Sequence, residues 1–360
     1  MKNIKIVTVV GARPQFIKAA ALSKAIAKQN EIKEIVIHTG QHFDNNMSNV
    51  FFNEMQIPTP NYQLYVNGLN HGAMTGRMIE EIEKILLIEN PDCLLVYGDT
   101  NSTLAGAIAA KKLNIKIAHV EAGLRSFNTS MPEEINRILT DRISDFLFCP
   151  TDTAVNNLKN EGFQNFNCII ENTGDIMYDS MVLFSHYANE NASFTNQFQD
   201  LDFLLCTIHR AENTDNEDKL NQIFEALNAL AESNIIVLPL HPRTKQKIKN
   251  IKIHPHIKLL EPLGYFDMLY LLKHCKMVIT DSGGLQKEAF FNQKFCITLR
   301  DETEWIELVE DNKNKLCGTQ IEKIQSAYQE FSNQEFNLNK QFYGNGDTSH
   351  KILTTLKSYL

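Results

Sequence analysis

The chain has 360 residues, of which 43% are hydrophobic and 22% charged, a balance typical of a globular protein long enough for two domains. Its formal net charge of −8 argues against nucleic acid as the main partner, because that binding depends on many basic groups. No apolar run approaches the roughly 20 residues of a membrane helix, and the N-terminus lacks a signal-peptide pattern. Seven cysteines without a Cys-x-x-Cys pair indicate small core residues in a reducing compartment. We therefore expect a cytoplasmic protein with no membrane partner.

Short apolar runs alternate with helical stretches along the whole chain. The predicted strands, in order, are 4–10, 34–40, 92–98, 115–120, 146–150, 203–209, 235–241, 256–260, 277–281 and 294–299. Nearly continuous apolar strands that alternate with helices are typical of parallel sheets covered on both faces. The pattern occurs twice, which predicts the α/β class with two Rossmann-like, doubly wound domains facing a cleft.

The domain boundaries are predicted from composition. Residues 184–202 are polar, rich in asparagine and without apolar periodicity, which suits a connection between domains. We predict an N-terminal domain over 1–172, a C-terminal domain over 173–345 and a C-terminal helix over 346–360. Three residues are candidates for the cap of that helix: Asp347, Thr348 and Ser349.

Polar residues that directly follow the strands are the first functional candidates, because ligands of open parallel sheets lie beyond the carboxyl ends of the strands. These residues are Asp99, Glu121, His209, His241 and Asp281. Glu121 has no capping role, and its carboxylate would be costly to bury without a partner, which favours function. Asp99 could instead cap the following helix, and each histidine could be a core residue with its hydrogen bonds satisfied.

The stretch "HVEAGLRSFNTSMPEEINR" also has two interpretations. Ser130 and Glu133 have the spacing of a capping box, with Pro132 in the first helical turn. Glu133 is therefore a candidate for a cap, for chemistry or for both.

Two loops have the composition of phosphate-binding loops. Arg13 and Lys18 follow the first strand, and Ser282, Gly283 and Gly284 begin a later helix. Free backbone N–H groups and the positive end of a helix dipole attract anions at such positions. The dinucleotide motif Gly-x-Gly-x-x-Gly and the P-loop motif are both absent, which argues against an oxidoreductase and a P-loop enzyme. No metal-ligand spacing occurs, so we expect metal-free acid–base chemistry beside a departing phosphate.

An ordered set of motifs covers nearly the whole chain: "GARPQFIKA", "HTGQHFDNNM", "VYGDTNSTLAGAIAA", "HVEAGLRS", "MPEEINR", "HRAEN", "LPLHPRT", "TDSGGLQKEA", "LRDETEW" and "YGNGD". This set resembles the non-hydrolysing UDP-N-acetylglucosamine 2-epimerases. The resemblance implies glycosyltransferase-B architecture, a homodimer, a UDP-sugar substrate and no cofactor. It also implies that C2 of a UDP-2-acetamido sugar is inverted by anti elimination and re-addition of UDP, for surface polysaccharide synthesis.

The resemblance assigns roles motif by motif. It implies catalytic roles for Asp99, Glu121, Glu133 and His209, with the histidine near the diphosphate; which carboxylate removes the C2 proton stays open. The substrate-binding set is Arg13, Lys18, Arg137, His241, Ser282, Gly283, Gly284 and Glu288. Gln41 and His42 match part of a second UDP-sugar site that activates many bacterial members.

Several positions depart from the commonest family pattern. Gln15 replaces a glutamate in the first loop, Trp305 and Ile306 replace Arg-Pro, and Ala211 replaces an arginine after His209-Arg210. Asp44 and Ala211 also replace polar or basic residues of the activating site, which argues against activation. The same departures resemble a branch that acts on UDP-2,3-diacetamido-2,3-dideoxyglucuronate, the alternative substrate. A glycosyltransferase, a hydrolysing epimerase and a non-catalytic nucleotide-sugar sensor are the competing functions.

Overall fold

The computed structural model describes residues 3–41, 59–192, 195–198, 201–240 and 242–360. The chain forms two compact units, Met1–Leu183 with Gln341–Leu360, and Phe184–Lys340. The sequence suggested divisions after residues 172 and 345 instead. The first division lies later because the helix Ile176–Asn191 begins within the first unit, where Ser180 Oγ donates to the Ile17 carbonyl at 2.7 Å.

The first unit contains a seven-stranded sheet in the order β3-β2-β1-β4-β5-β6-β7. Its strands are β1 (Ile4–Val10), β2 (Ile32–His38), β3 (Tyr62–Gln63), β4 (Cys93–Tyr97), β5 (Lys116–Val120), β6 (Phe146–Cys149) and β7 (Ile169–Asn172). Its described helices are α1 (Arg13–Ile26), α2 (His71–Glu89), α3 (Asn101–Lys112), α4 (Pro132–Ile143), α5 (Asp152–Asn160), α6 (Ile176–Asn191), which continues into the second unit, and α15 (Thr348–Tyr359).

The second unit contains a six-stranded sheet in the order β10-β9-β8-β11-β12-β13. Its strands are β8 (Phe203–Thr207), β9 (Ile235–Pro239), β10 (Ile257–Leu260), β11 (Met277–Thr280), β12 (Cys296–Thr298) and β13 (Asn314–Leu316). Its described helices are α7 (Thr195–Phe198), α8 (Ala211–Thr214), α9 (Glu217–Ala231), α10 (Pro242–Lys247), α11 (Tyr265–His274), α12 (Gly283–Phe291), α13 (Ile306–Glu310) and α14 (Ile321–Ser332).

Both sheets have the doubly wound order that the strand pattern predicts. All described strand pairs are parallel. In each sheet the order reverses beside the first strand of the unit, between β1 and β4 and between β8 and β11. Such reversal points are where ligands bind in open α/β sheets. The predicted α/β class is confirmed; within the described ranges, no helix is long and apolar enough to cross a membrane.

The segment predicted as an irregular connection is partly helical. Helix α6 runs to Asn191, and α7 covers Thr195–Phe198. Phe184 and Ala188, one helical turn apart, are buried at 1% and 2% exposure. This apolar face is short and lies among asparagines and other polar residues, so its periodicity was missed.

The C-terminal helix is capped by a residue far away in the sequence. Asp347 is its N-cap residue but makes no side-chain cap hydrogen bond. Instead, the Asp179 carboxylate of α6 accepts the backbone N–H groups of Thr348 and Ser349 at 3.1 and 2.8 Å. The predicted start of the helix at residues 347–349 is confirmed, but the side-chain acceptor that caps it comes from another helix. A carboxylate there also interacts favourably with the helix dipole.

We predict that Asp179→Ala lowers the free energy of unfolding by about 1–2 kcal/mol, the usual cost of a lost cap. The matched control is Asp347→Ala, which removes only the exposed 3.0 Å ion pair with Lys351. Exposed pairs contribute about 0–1 kcal/mol, so the control should lose less. Urea denaturation of both variants measures the difference, and equal losses would contradict the assigned cap.

Candidate active site

Asp99 and Glu121 follow neighbouring strands of the first sheet. Tyr97 of β4 pairs with Val120 of β5, so the two carboxyl-bearing segments leave the sheet side by side. Glu121 has a φ of 72°, in the left-handed region that residues with side chains rarely adopt. Its N–H donates to the Phe148 carbonyl at 3.0 Å, which holds this conformation. Backbone strain of this kind concentrates at functional sites.

Glu121 forms a buried ion pair with Lys18 of α1. The two residues are 7% and 9% exposed. Gly98 lies against this pair, since a Cβ at Gly98 would be 3.1 Å from both Glu121 Oε2 and Lys18 Nζ. The glycine also has a φ of 61°, so both its conformation and its lack of a side chain are needed here.

Asp99 is held by helix α4 at both its backbone and its side chain. Arg137 Nη1 donates to Asp99 Oδ2 at 2.5 Å, and Asn136 Nδ2 donates to the Asp99 carbonyl at 2.8 Å. Arg137 also donates through Nε and Nη2 to Glu134 Oε2, at 2.9 and 2.7 Å. The Asp99 side chain nevertheless keeps 35% exposure, so its carboxylate is oriented and still accessible.

Glu134 is a site residue that the sequence reasoning missed. Its carboxylate accepts the backbone N–H groups of Ser126 and Phe127 at 3.0 and 2.9 Å, in addition to Arg137. Burial alone would raise its pKa, but the Ser126 hydrogen bond and the Arg137 guanidinium outweigh it and hold the pKa of Glu134 below its usual range. Glu134 is therefore a buried anion that fixes Arg137.

The capping box predicted for Ser130 and Glu133 was wrong. Helix α4 begins at Pro132 with Met131 as its N-cap residue, and Ser130 Oγ instead donates to Asn128 Oδ1 at 2.6 Å. Proline at the first helical position starts the helix without that cap. Glu133 is left exposed in the first turn, where the positive end of the helix dipole favours a carboxylate.

A buried hydrogen-bond network adjoins both carboxylates. The His119 ring lies 2.7 Å from Asp141 Oδ1 through Nδ1 and 2.7 Å from the Gly98 carbonyl through Nε2. Asp141 Oδ2 also accepts the Gly123 N–H at 3.1 Å and Arg125 Nη1 at 2.7 Å. Burial would raise the pKa of Asp141, but its bonds to His119 and Arg125 outweigh burial and keep that pKa below its usual range.

In the first loop, two backbone N–H groups that could have bound an anion have partners within the chain. The N–H groups of Gly11 and Ala12 donate to Gln15 Oε1 at 2.8 and 3.1 Å. Gln15 Nε2 in turn donates to the Tyr97 carbonyl at 2.9 Å, which ties the loop to the end of β4. Any anion binding by this loop therefore falls to the side chains of Lys18 and Arg13; the Arg13 side chain lies outside the described part.

The possible activating site is described only in part. Gln41 Oε1 accepts the backbone N–H and the hydroxyl of Ser102 at 3.0 and 2.8 Å, at the start of helix α3. Gln41 therefore has a structural role in the fold. His42, Asp44 and His241 lie outside the described residues.

In the second unit, a buried carboxylate ties the ends of β8 and β11 together. Asp281 accepts the backbone N–H of His209 at 3.1 Å on each carboxylate oxygen, that of Arg210 at 3.0 Å, and Asn213 Nδ2 at 3.2 Å. The His209 side chain is 41% exposed, with Nδ1 3.3 Å from Asp281 Oδ1. His209 is therefore oriented by a buried partner while part of its ring stays accessible.

The start of helix α12 has the features of an anion site. Ser282 is its N-cap residue and accepts a backbone N–H through its side chain. A Cβ at Gly283 would lie 2.3 Å from Glu304 Oε1, whereas a Cβ at Gly284 would meet nothing within 4 Å. The first glycine is thus needed for packing, and the second leaves open space beside the helix N-terminus, where anions bind. Glu288 is half-buried on the same helix. Among the residues described, no three His, Cys, Asp or Glu side chains are grouped to hold a metal ion.

The chain matches the UDP-N-acetylglucosamine 2-epimerase family model over residues 24–357. It belongs to this family. A UDP-2,3-diacetamido-2,3-dideoxy-D-glucuronate 2-epimerase of Pseudomonas aeruginosa is 51% identical, over 97% of this chain and 98% of the relative. A UDP-N-acetylglucosamine 2-epimerase of Methanocaldococcus jannaschii is 43% identical, over 98% of this chain and 99% of the relative.

Solved structures agree with the family assignment. The crystal structure of the Methanocaldococcus jannaschii epimerase in complex with UDP-GlcNAc and UDP matches with a TM-score of 0.92 and 42% identity, covering 99% of this chain and 100% of that chain. The epimerase is thus an isomerase with a glycosyltransferase-B-like fold, as predicted.

Glu134 should make the stability of the epimerase depend on pH. Because its pKa is lowered in the folded state, its carboxylate stabilises the fold above the ordinary pKa of 4.5, and this contribution is lost as pH falls through the lower folded-state pKa. We predict that Glu134→Gln lowers the melting temperature near neutral pH. The variant should also lose less of its melting temperature than the wild type on acidification from about pH 5 to about pH 3. Glu133→Gln, which removes an exposed carboxyl from the same turn, is the control. An unchanged acid profile in Glu134→Gln would contradict the assigned interactions.

Proposed function

We propose that this epimerase converts UDP-N-acetylglucosamine to UDP-N-acetylmannosamine by inversion at C2, without hydrolysis. The observation that carries the proposal is the pair of carboxylates at the ends of β4 and β5, Asp99 and Glu121, each held by a cation from a helix. The crystal structure of the Methanocaldococcus jannaschii relative contains UDP-GlcNAc and UDP, which supports this class of substrate.

The reaction proceeds by elimination and re-addition. A base removes the C2 proton while the bond between C1 and the UDP oxygen breaks in the anti direction, and the electron pair forms the C1–C2 double bond of a 2-acetamidoglucal. The UDP oxygen then adds to C1 while a proton is delivered to the other face of C2. The chemistry needs proton-transfer groups on both sugar faces and positive partners for the departing diphosphate. Proton transfer typically contributes about 10²–10⁴-fold, so stabilisation of UDP supplies much of the rest.

Within the first unit, we assign the proton transfers to Asp99, Glu121 and Glu133. Asp99 and Glu133 are accessible, and Glu121 is oriented by Lys18. Arg137 orients Asp99 through a short ion pair and is itself fixed by Glu134, an arrangement that limits movement of the reacting group.

Within the second unit, we assign the diphosphate to the start of helix α12. The open space at Gly284 and the helix dipole favour the approach of an anion, and His209 is the partly exposed histidine of the same unit. The remaining proposed binding residues are Arg13, Lys18 and Arg137 of the first unit and His241, Ser282, Gly283 and Glu288 of the second.

A second substrate is favoured by the Pseudomonas aeruginosa relative. That protein is a UDP-2,3-diacetamido-2,3-dideoxy-D-glucuronate 2-epimerase and is 51% identical to this chain. The two sugars share the reacting C1, C2 and acetamido groups and differ at C3 and C6. The same residues would therefore catalyse the same reaction on either substrate.

We further propose that the epimerase is a cytoplasmic homodimer that supplies a surface polysaccharide precursor. Ile135 and Leu139, one turn apart on helix α4, are both 45% exposed and offer apolar surface for a second copy. All seven cysteines are free, which suits a reducing compartment.

Proton NMR in D₂O tests the proposed function directly. The purified epimerase is incubated with UDP-N-acetylglucosamine and, separately, with the UDP-2,3-diacetamido uronate. We expect deuterium at C2 and formation of the manno isomer from the first sugar. Exchange only with the second would assign the diacetamido substrate, and a free reducing sugar in either reaction would contradict a non-hydrolysing mechanism.

We predict that Asp99→Asn and Glu121→Gln each lower turnover by about 10²-fold or more while UDP affinity is largely kept, as expected for proton-transfer groups. Glu80→Gln, which removes an exposed carboxylate on helix α2, is the control and should keep normal turnover. Single-turnover kinetics and UDP titration measure the two effects. Near-normal rates in both site variants would exclude the assignment.

A further inference from the structure

His119 connects helix α4 to the turn that carries Asp99. It is fully buried in β5, two residues before Glu121. Its Nδ1 lies 2.7 Å from Asp141 Oδ1 of α4, and its Nε2 lies 2.7 Å from the carbonyl oxygen of Gly98. The ring therefore spans the distance between a helix and the backbone directly before a proposed catalytic carboxylate.

Both contacts of the ring are to oxygen acceptors. The Gly98 carbonyl oxygen can only accept a hydrogen bond, so Nε2 of the ring is the donor in that contact. Burial of the ring makes such a hydrogen bond stronger than it would be in water. The Gly98 carbonyl is thus held in place by a rigid partner.

Asp141 supports the second carboxylate as well. Its Oδ2 accepts the N–H of Gly123, two residues after Glu121, at 3.1 Å. Arg125 donates to the same oxygen at 2.7 Å and is held by Glu161 through two further bonds of 2.6 and 2.8 Å. One buried carboxylate is therefore linked to the loop at Glu121 directly and to the turn at Asp99 through His119.

We propose that His119, supported by Asp141, is a positioning residue that sets the backbone geometry of Asp99 and Glu121. The inference rests on the proposed function, since it concerns the residues assigned to proton transfer. His119 is too buried to touch the substrate, so its effect is on the geometry of the reacting carboxylates. The expected consequence is a loss of kcat with little change in KM, because reacting groups displaced by about 1 Å can lose about 10²-fold in rate.

Two substitutions separate the contacts of the ring. The amide of His119→Gln can replace the Nε2 donor to Gly98, whereas the shorter amide of His119→Asn can replace only the Nδ1 contact with Asp141. We expect His119→Asn to lower kcat by about 10- to 100-fold with KM and UDP affinity close to wild type. His119→Gln should retain clearly more kcat, although it also loses one buried contact.

Melting temperatures of the variants distinguish positioning from general destabilisation. Each variant loses one buried contact, so we expect both to lose a similar amount of melting temperature. If kcat nevertheless falls more in His119→Asn than in His119→Gln, the Gly98 contact has the positioning role. Equal kcat in the two variants, or normal kcat in His119→Asn, would overturn the proposal. If His119→Asn does not fold, Asp141→Asn provides the test: lower kcat with an unchanged KM supports positioning, and unchanged kcat excludes it.

Failure of the proposed function has a separate signature. A wild-type enzyme without C2 exchange on either sugar would refute the reaction and leave the structural role of His119 open to a direct measurement. In that case, crystal structures of His119→Gln and His119→Asn test the positioning role. Displacement of the turn at Gly98 and Asp99 only in the Asn variant would support the positioning role, and an unmoved turn would overturn it.

Discussion

Helix α4 buries its charged face, and the residues of that face hold the proposed proton-transfer site in place. Glu134, Arg137 and Asp141 are at most 3% exposed, whereas Ile135 and Leu139 on the same helix are 45% exposed. A charge is costly to bury unless it is paired and hydrogen-bonded. Each of the three buried groups has such partners, and those of Arg137 and Asp141 include residues at the ends of β4 and β5. The helix, the strand ends and the carboxylates are therefore stabilised together.

The two units contribute different chemistry to the proposed reaction. The first unit presents carboxylates oriented by buried cations, which suits proton transfer at carbon. The second presents a helix N-terminus with open space at Gly284, which suits a diphosphate. In both units, assigned side chains follow parallel strands, namely Asp99, Glu121 and His209, and a buried carboxylate, Asp141 or Asp281, lies against the segments that carry them.

Much of the fold could be predicted from the sequence because the central strands are continuous apolar runs. The short strands β3, β7 and β13 were missed, since they have only two to four residues and are partly exposed. Asp99 and Glu121 could be recognised because each carboxylate directly follows an apolar strand. The buried residues that hold these two carboxylates in place could not be recognised, because helical periodicity assigns apolar residues to the core and polar residues to solvent. On α4 the charged residues are buried instead, because they pair with residues that are distant in sequence.

Breakage of the C1–oxygen bond distinguishes elimination from every mechanism that inverts C2 with UDP still attached. It can be followed by positional isotope exchange, with ¹⁸O placed in the bridge between C1 and the β-phosphorus of UDP-N-acetylglucosamine, or of the diacetamido uronate if that is the substrate turned over. Elimination frees the β-phosphate to rotate, so ³¹P NMR should show the label moving into non-bridging positions as the manno isomer forms. Epimerisation with the label retained entirely in the bridge would contradict release of UDP and with it the proposed mechanism.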